Sequence, residues 1–100
     1  MDDQARRAAL AQRLSDANAA HAEYEKTELQ GEYDQQWPEW YAAYLIAHAW
    51  NELFARAWDV NELSTALREA DTAHRAAASK SSWQEFYAAR FAASQPMAGQ

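Results

Sequence analysis

The sequence predicts an all-α fold, a four-helix arrangement made of two tandem helical hairpins related by a pseudo-twofold axis. Three observations carry that expectation. The 100 residues include only two glycines and two prolines, which leaves little turn chemistry for a β fold. The long segments are rich in alanine, glutamate, glutamine and arginine, all of them helix formers. The aromatic box Trp37-Pro38-Glu39-Trp40-Tyr41-Ala42-Ala43-Tyr44-Leu45 is echoed forty-six residues on by Trp83-Gln84-Glu85-Phe86-Tyr87-Ala88-Ala89-Arg90-Phe91.

The first helix is expected from Asp3 to about Leu29, with Asp2 or Asp3 as its cap. Leu10, Leu14, Ala17, His21 and Tyr24 fall at spacings of four and three, one stripe of a helix that packs against a neighbour. Arg6, Arg13, Asp16 and Glu23 are read as its solvated face. Gly31 suits the left-handed residue that ends a helix, and Asp34 suits a turn or cap. Pro38 fits the first turn of a second helix, with Trp37 as the boundary before it.

That second helix is expected to run unbroken from Pro38 to about Trp58. On a helical projection Trp37, Tyr41, Tyr44, Leu45 and His48 share one side, while Trp50, Leu53, Phe54, Ala57 and Trp58 share another. An apolar surface that wraps a helix needs a second partner. Trp50, Phe54 and Trp58 have no counterpart in the echo, so they are the candidate subunit interface of a homodimer, where such rings are enriched.

Asp59 and Glu62 have capping-box spacing and open a third helix to about Ala78, striped by Leu63, Leu67, Ala70, His74 and Ala77. Ser79 to Ser82 form a loop. Ser82 and Glu85 make another capping box ahead of a fourth helix, Trp83 to about Ser94. Residues 95–100 are expected to be a disordered tail.

The repeat reaches beyond the box. Leu10, Leu14, Asp16, Ala17, Asn18, Ala20 and His21 correspond to Leu63, Leu67, Glu69, Ala70, Asp71, Ala73 and His74 at a constant offset of 53. The chain therefore reads as one helical domain, residues 1–100, made of a hairpin at 5–58 and a degenerate copy at 60–94. Neither hairpin can bury its aromatic face alone, so the two are expected to pack on each other.

Composition narrows the function. The net charge of −6 and the lack of a basic face argue against nucleic acid. No cysteine is present, which excludes disulfides and thiolate chemistry. No apolar run approaches the roughly 20 residues needed to span a bilayer, and Met-Asp-Asp-Gln lacks the start of a signal peptide. A cytoplasmic protein without membrane contact or cofactor is expected. No glycine-flanked serine and no glycine-rich phosphate loop occur, so whether any reaction is catalysed stays open.

His21-x-x-Tyr24-Glu25 followed by Asp34-x-x-Trp37-Pro38-x-Trp40-Tyr41-Ala42-x-Tyr44 resembles segments of small helical bacterial domains. Such domains occur alone or appended to glyoxalase/bleomycin-resistance-type domains, and the resemblance covers about thirty residues. No glyoxalase-type βαβββ pattern accompanies it, so it implies an accessory role and carries over no catalytic residue.

Two functional readings follow. The leading one is a non-catalytic interaction module that self-associates through the aromatic residues of the second helix. The alternative is a small-molecule or metal-binding protein, or an enzyme, with a His/Tyr-lined pocket between the hairpins. Its candidate pocket is His21, Glu25, Trp37, Trp40, Tyr41, Tyr44, His48 and His74. Three histidines on three helices suit a metal or general-base site with carboxylates orienting the rings. They suit interior histidines bonded to tyrosines and carboxylates better. No di-iron or His-Glu-x-x-His motif is present, so no metal ligands are assigned.

Overall fold

The computed structural model describes residues 2–78 and 80–94; Ser79 and the tail at 95–100 lie outside the described residues. The chain is all-α, and no strand occurs among the described residues. None of its described helices is long and apolar enough to cross a membrane.

Asp2 starts α1 (Asp3–Thr27), its side chain accepting from the Ala5 N–H at 2.7 Å. Leu10, Leu14, Ala17 and His21 are buried along one face. Beyond Thr27 the chain reverses through Gln30 and Gly31, both left-handed, at φ 54° and 86°. The Gly31 N–H reaches back to the Glu25 carbonyl at 2.8 Å. Pro38 lies in the first turn of α2 (Trp37–Ala47), which takes in Trp37 as its first residue.

The second helix does not continue to Trp58. It stops after Ala47; Ala49 adopts φ 70°, and Trp50–Leu53 form a short 3-10 turn. Asn51 then clamps the returning chain, donating from its amide to the Trp58 carbonyl at 3.1 Å and accepting the Trp58 N–H at 2.8 Å. The capping box at Asp59 and Glu62 forms both of its bonds and opens α3 (Val60–Ala77). Ser82 accepts the Glu85 N–H at 3.2 Å at the start of α4 (Trp83–Ser94).

Packing between hairpins exceeds packing within them. α1 lies chiefly on α4, and α2 chiefly on α3, while the partners within each hairpin share less. Exchanging the hairpins turns one main pair into the other, the relation expected of a pseudo-twofold arrangement. A central belt of Leu10, Leu14, Leu45, Leu63 and Leu67, with Ala17, Ala42 and Ala70, has no exposed surface. Five such leucines contribute on the order of 2 kcal/mol each by burial.

One end of the bundle is closed by aromatic rings. Trp50 and Phe91 meet edge to face at 5.1 Å, Phe54 and Trp58 at 5.7 Å, and Trp58 and Phe91 at 5.6 Å. This corrects the expected interface: Trp50, Phe54 and Trp58 are 0%, 4% and 8% exposed within the single chain. A straight helix would hold these rings outside. The left-handed turn at Ala49 folds them back beneath the bundle.

Arg6 is a second correction, since it is only 2% exposed rather than on the solvated face. It sits one turn before Leu10 on the same stripe. Its Nε donates to the Leu53 carbonyl at 2.9 Å, one terminal nitrogen donates to the Ala92 carbonyl at 3.3 Å, and its guanidinium lies 4.8 Å from the Phe54 ring centre. Leu53 ends the 3-10 turn and Ala92 lies in the last turn of α4, where carbonyls lack intrahelical partners and favour a cation. Burial holds the Arg6 pKa below its ordinary value, and Asp3 partly opposes that shift. Arg13, one of the residues read as solvated, donates likewise to the His48 carbonyl just beyond α2. Two arginines of α1 thus cap the C-terminal ends of three segments.

Candidate functional site

His21 lies at the other end of the bundle, fifteen residues or about 22 Å along α1 from Arg6. It is buried. Its Nε2 is 2.9 Å from Asp34 Oδ2, and its Nδ1 is 3.5 Å from Glu25 Oε1. A neutral imidazole has one N–H and donates to one of these carboxylates; the imidazolium donates to both. Asp34 also accepts the Gln36 N–H at 2.9 Å, an Asx-type turn that sets the entry to α2 and orients the histidine together. Trp40 and Tyr41 flank the ring, each with its centre 5.0 Å away.

The second hairpin makes the corresponding contacts. The Tyr41 hydroxyl donates to Asn18 Oδ1 at 3.2 Å, and the Tyr87 hydroxyl to Asp71 Oδ1 at 3.3 Å. Trp37 stands edge-on to Tyr41 at 5.6 Å, as Trp83 does to Tyr87 at 5.0 Å. Trp40 meets His21 at 5.0 Å and 60°, and Phe86 meets His74 at 4.9 Å and 61°. Tyr41 and Trp83 cross between the hairpins with ring centres 6.1 Å apart.

Between these two sets lies an open cleft of about 430 Å³, lined by Asn18, His21, Glu25, Tyr33, Trp37 and Tyr41 from the first hairpin and by Asp71, His74, Arg75, Trp83 and Tyr87 from the second. A groove of about 840 Å³ runs elsewhere, between α3 and α4, past Asn61, Thr65, Glu69 and Arg90. It has no histidine or tyrosine. The smaller cleft is where buried rings and polar groups converge, and that makes it the candidate site.

The cleft brings together His21, Glu25, Trp37, Tyr41 and His74. It does not include Trp40, Tyr44 or His48. Trp40 stacks on Tyr44 at 5.5 Å, and Tyr44 on His48 at 3.9 Å, forming a ladder along another side of α2. His48 is exposed, and its Nδ1 lies 2.7 Å from the Tyr44 carbonyl of its own helix. The three histidines therefore do not meet. Among the described residues no group of three His, Asp or Glu side chains is placed to hold a metal ion.

Sequence reasoning missed Asn18, Tyr33, Asp71, Arg75, Trp83 and Tyr87 as lining residues. The repeat itself signals three of them. Trp83 and Tyr87 are the counterparts of Trp37 and Tyr41, and Asp71 is the counterpart of Asn18. Tyr33 and Arg75 carry no such signal.

Burial, with help from Glu25, pushes the Tyr41 phenol up to about 12. Tyr87 is also raised, by burial first and by the Asp71 carboxylate second. Both phenols stay protonated near neutral pH and act as hydrogen-bond donors, not bases. The arrangement offers aromatic rings, phenol oxygens and carboxylates. No activated nucleophile stands among its described lining residues. No protein-family model, curated protein or solved structure matches the chain.

Proposed function

We propose that this chain is a small-molecule-binding module whose ligand occupies the cleft between the hairpins and undergoes no covalent change. The observation that carries this reading is the delivery of four corresponding positions to one cavity: Asn18 and Asp71, His21 and His74, Trp37 and Trp83, Tyr41 and Tyr87. Each hairpin supplies half of the walls, which supports an origin by duplication in which neither half would hold a ligand alone. A cytoplasmic setting belongs to the same proposal.

Self-association through Trp50, Phe54 and Trp58 is not carried forward, because those rings form the core at the far end of the bundle. The cleft reading is tested by a thermal-shift screen of chemically diverse small molecules against the wild type and Trp37→Leu. Compounds should raise the melting temperature of the wild type, lose that effect in the variant, and perturb the NMR signals of the His21 and His74 rings. A screen without such compounds, or perturbations confined to the groove between α3 and α4, refutes the reading.

A further inference from the structure

We propose that the cleft selects an organic cation, a substituted ammonium group about the size of a trimethylalkylammonium; this rests on the cleft reading above. Aromatic walls and nearby negative charge point there. Trp37 and Tyr41 stand at 83° to one another, Tyr41 and Trp83 at 67°, and Trp83 and Tyr87 at 66°. These edge-to-face contacts make one continuous aromatic wall along the cleft, with Tyr41 and Tyr87 largely buried in it. Tyr33, 70% exposed, stands among the lining residues as a fifth ring. Ring faces attract cations through their quadrupole, and desolvation strengthens the attraction.

The carboxylates among the lining groups outnumber the guanidinium two to one. Glu25 and Asp71 are carboxylates, one from each hairpin. Arg75 is the one opposing guanidinium, and its Nε is engaged with Asp71 at 3.2 Å while most of its side chain is in water. His21 is paired with Asp34 and Glu25, and His74 lies near the Ser81 carbonyl at 3.4 Å. The hydrogen bond from Tyr87 to Asp71 raises the electron density of the phenol ring, which favours a cation over its face. An anion would meet two carboxylates, and a neutral apolar group would forgo the charge complementarity. The net charge of −6 also attracts cations over a longer range. A volume of about 430 Å³ lies toward the small end for ligand sites.

The test is calorimetric titration with choline and with its neutral carbon isostere 3,3-dimethylbutan-1-ol, with NMR of the tryptophan indoles to locate binding. Choline should bind at the cleft at least about tenfold more tightly than the isostere, the step worth one desolvated cation–ring contact. Glu25→Gln should weaken choline about threefold to tenfold and flatten the dependence on salt. Asp71→Asn keeps an acceptor for Tyr87 and should weaken it similarly. If the isostere binds as well as choline, or Glu25→Gln and Asp71→Asn leave choline binding unchanged, the cleft is a site but the cation assignment is overturned. The same conclusion follows if only neutral or anionic compounds from the screen occupy the cleft. If nothing binds there, both readings fail.

Discussion

Replacing Arg6 by methionine should cost this fold about 2–4 kcal/mol. Methionine keeps an apolar stem of similar reach but removes the donors. The Leu53 carbonyl, bonded at 2.9 Å in a buried setting, loses its partner, and an unpaired buried group costs about 1–3 kcal/mol. The Ala92 carbonyl is only part-buried and reaches water more readily, so its share is smaller. The contact over the Phe54 ring adds roughly 0.5–2 kcal/mol. Against these losses, the variant no longer desolvates a guanidinium, the effect that lowers the Arg6 pKa. The balance is a large part of the 5–15 kcal/mol typical of a domain. Urea unfolding followed by far-UV circular dichroism and tryptophan fluorescence should show a midpoint about 1–2 M lower with an unchanged slope. Arg6→Lys keeps the charge but loses the planar fork and should recover less than half of the loss. A methionine variant within about 0.5 kcal/mol of wild type, the level of an ordinary surface change, would refute the capping role.

Three further outcomes are expected. Ala49 holds φ 70°, where a β-carbon is strained, so Ala49→Gly should raise stability by about 1 kcal/mol; a lower urea midpoint would contradict the break assigned there. Trp58→Ala should destabilise by about 3–5 kcal/mol through lost core volume, with no change of native mass, whereas a changed mass at unchanged stability would return that ring to an interface. The Tyr41 pKa is raised, so the folded state keeps a proton that the unfolded chain releases near pH 10. Its stabilising contribution is complete below about pH 10 and is lost as the pH climbs to about 12. The loss is at most about 3 kcal/mol, and screening at the open cleft reduces it. Tyrosinate absorbance should show a late step that shrinks in Tyr41→Phe, the remainder belonging to Tyr87, which is raised as well; an unchanged titration curve would contradict the shift.

Helix starts were legible because they are written in local chemistry. Asp2, Asp59 with Glu62, and Ser82 with Glu85 each satisfy backbone groups within a few residues of themselves, and Pro38 lacks the N–H that a first turn leaves unpaired. The end of α2 was not legible. His48-Ala49 carries no breaker, and alanine would continue the helix on propensity alone. Distant partners enforce the break: Arg13 caps the His48 carbonyl, and Trp50 finds Phe91. The same error sent Trp50, Phe54 and Trp58 to a surface. Arg6 was misread for another reason: an arginine on an apolar stripe looks solvated until the orphan carbonyls it caps are known, and these lie 47 and 86 residues away. In the candidate site five of the eleven lining residues were named, and the offset pairs point to Asp71, Trp83 and Tyr87 as well. His48 was grouped with them because it follows Tyr44 by one turn, yet it stacks on Tyr44 away from the cleft.

The dominance of contacts between hairpins over contacts within them governs the order in which the molecule can be assembled. As the chain leaves the ribosome, α1 emerges with an apolar stripe and an arginine whose acceptor at Ala92 does not yet exist. The first hairpin must therefore wait, with its apolar faces open, until the second has been made; distant pairings of this kind slow folding. In that interval the second hairpin of another copy offers the same surfaces as the chain's own. Rapid synthesis at high concentration should thus produce exchanged dimers of normal helicity that part only on unfolding, whereas dilute refolding returns monomers.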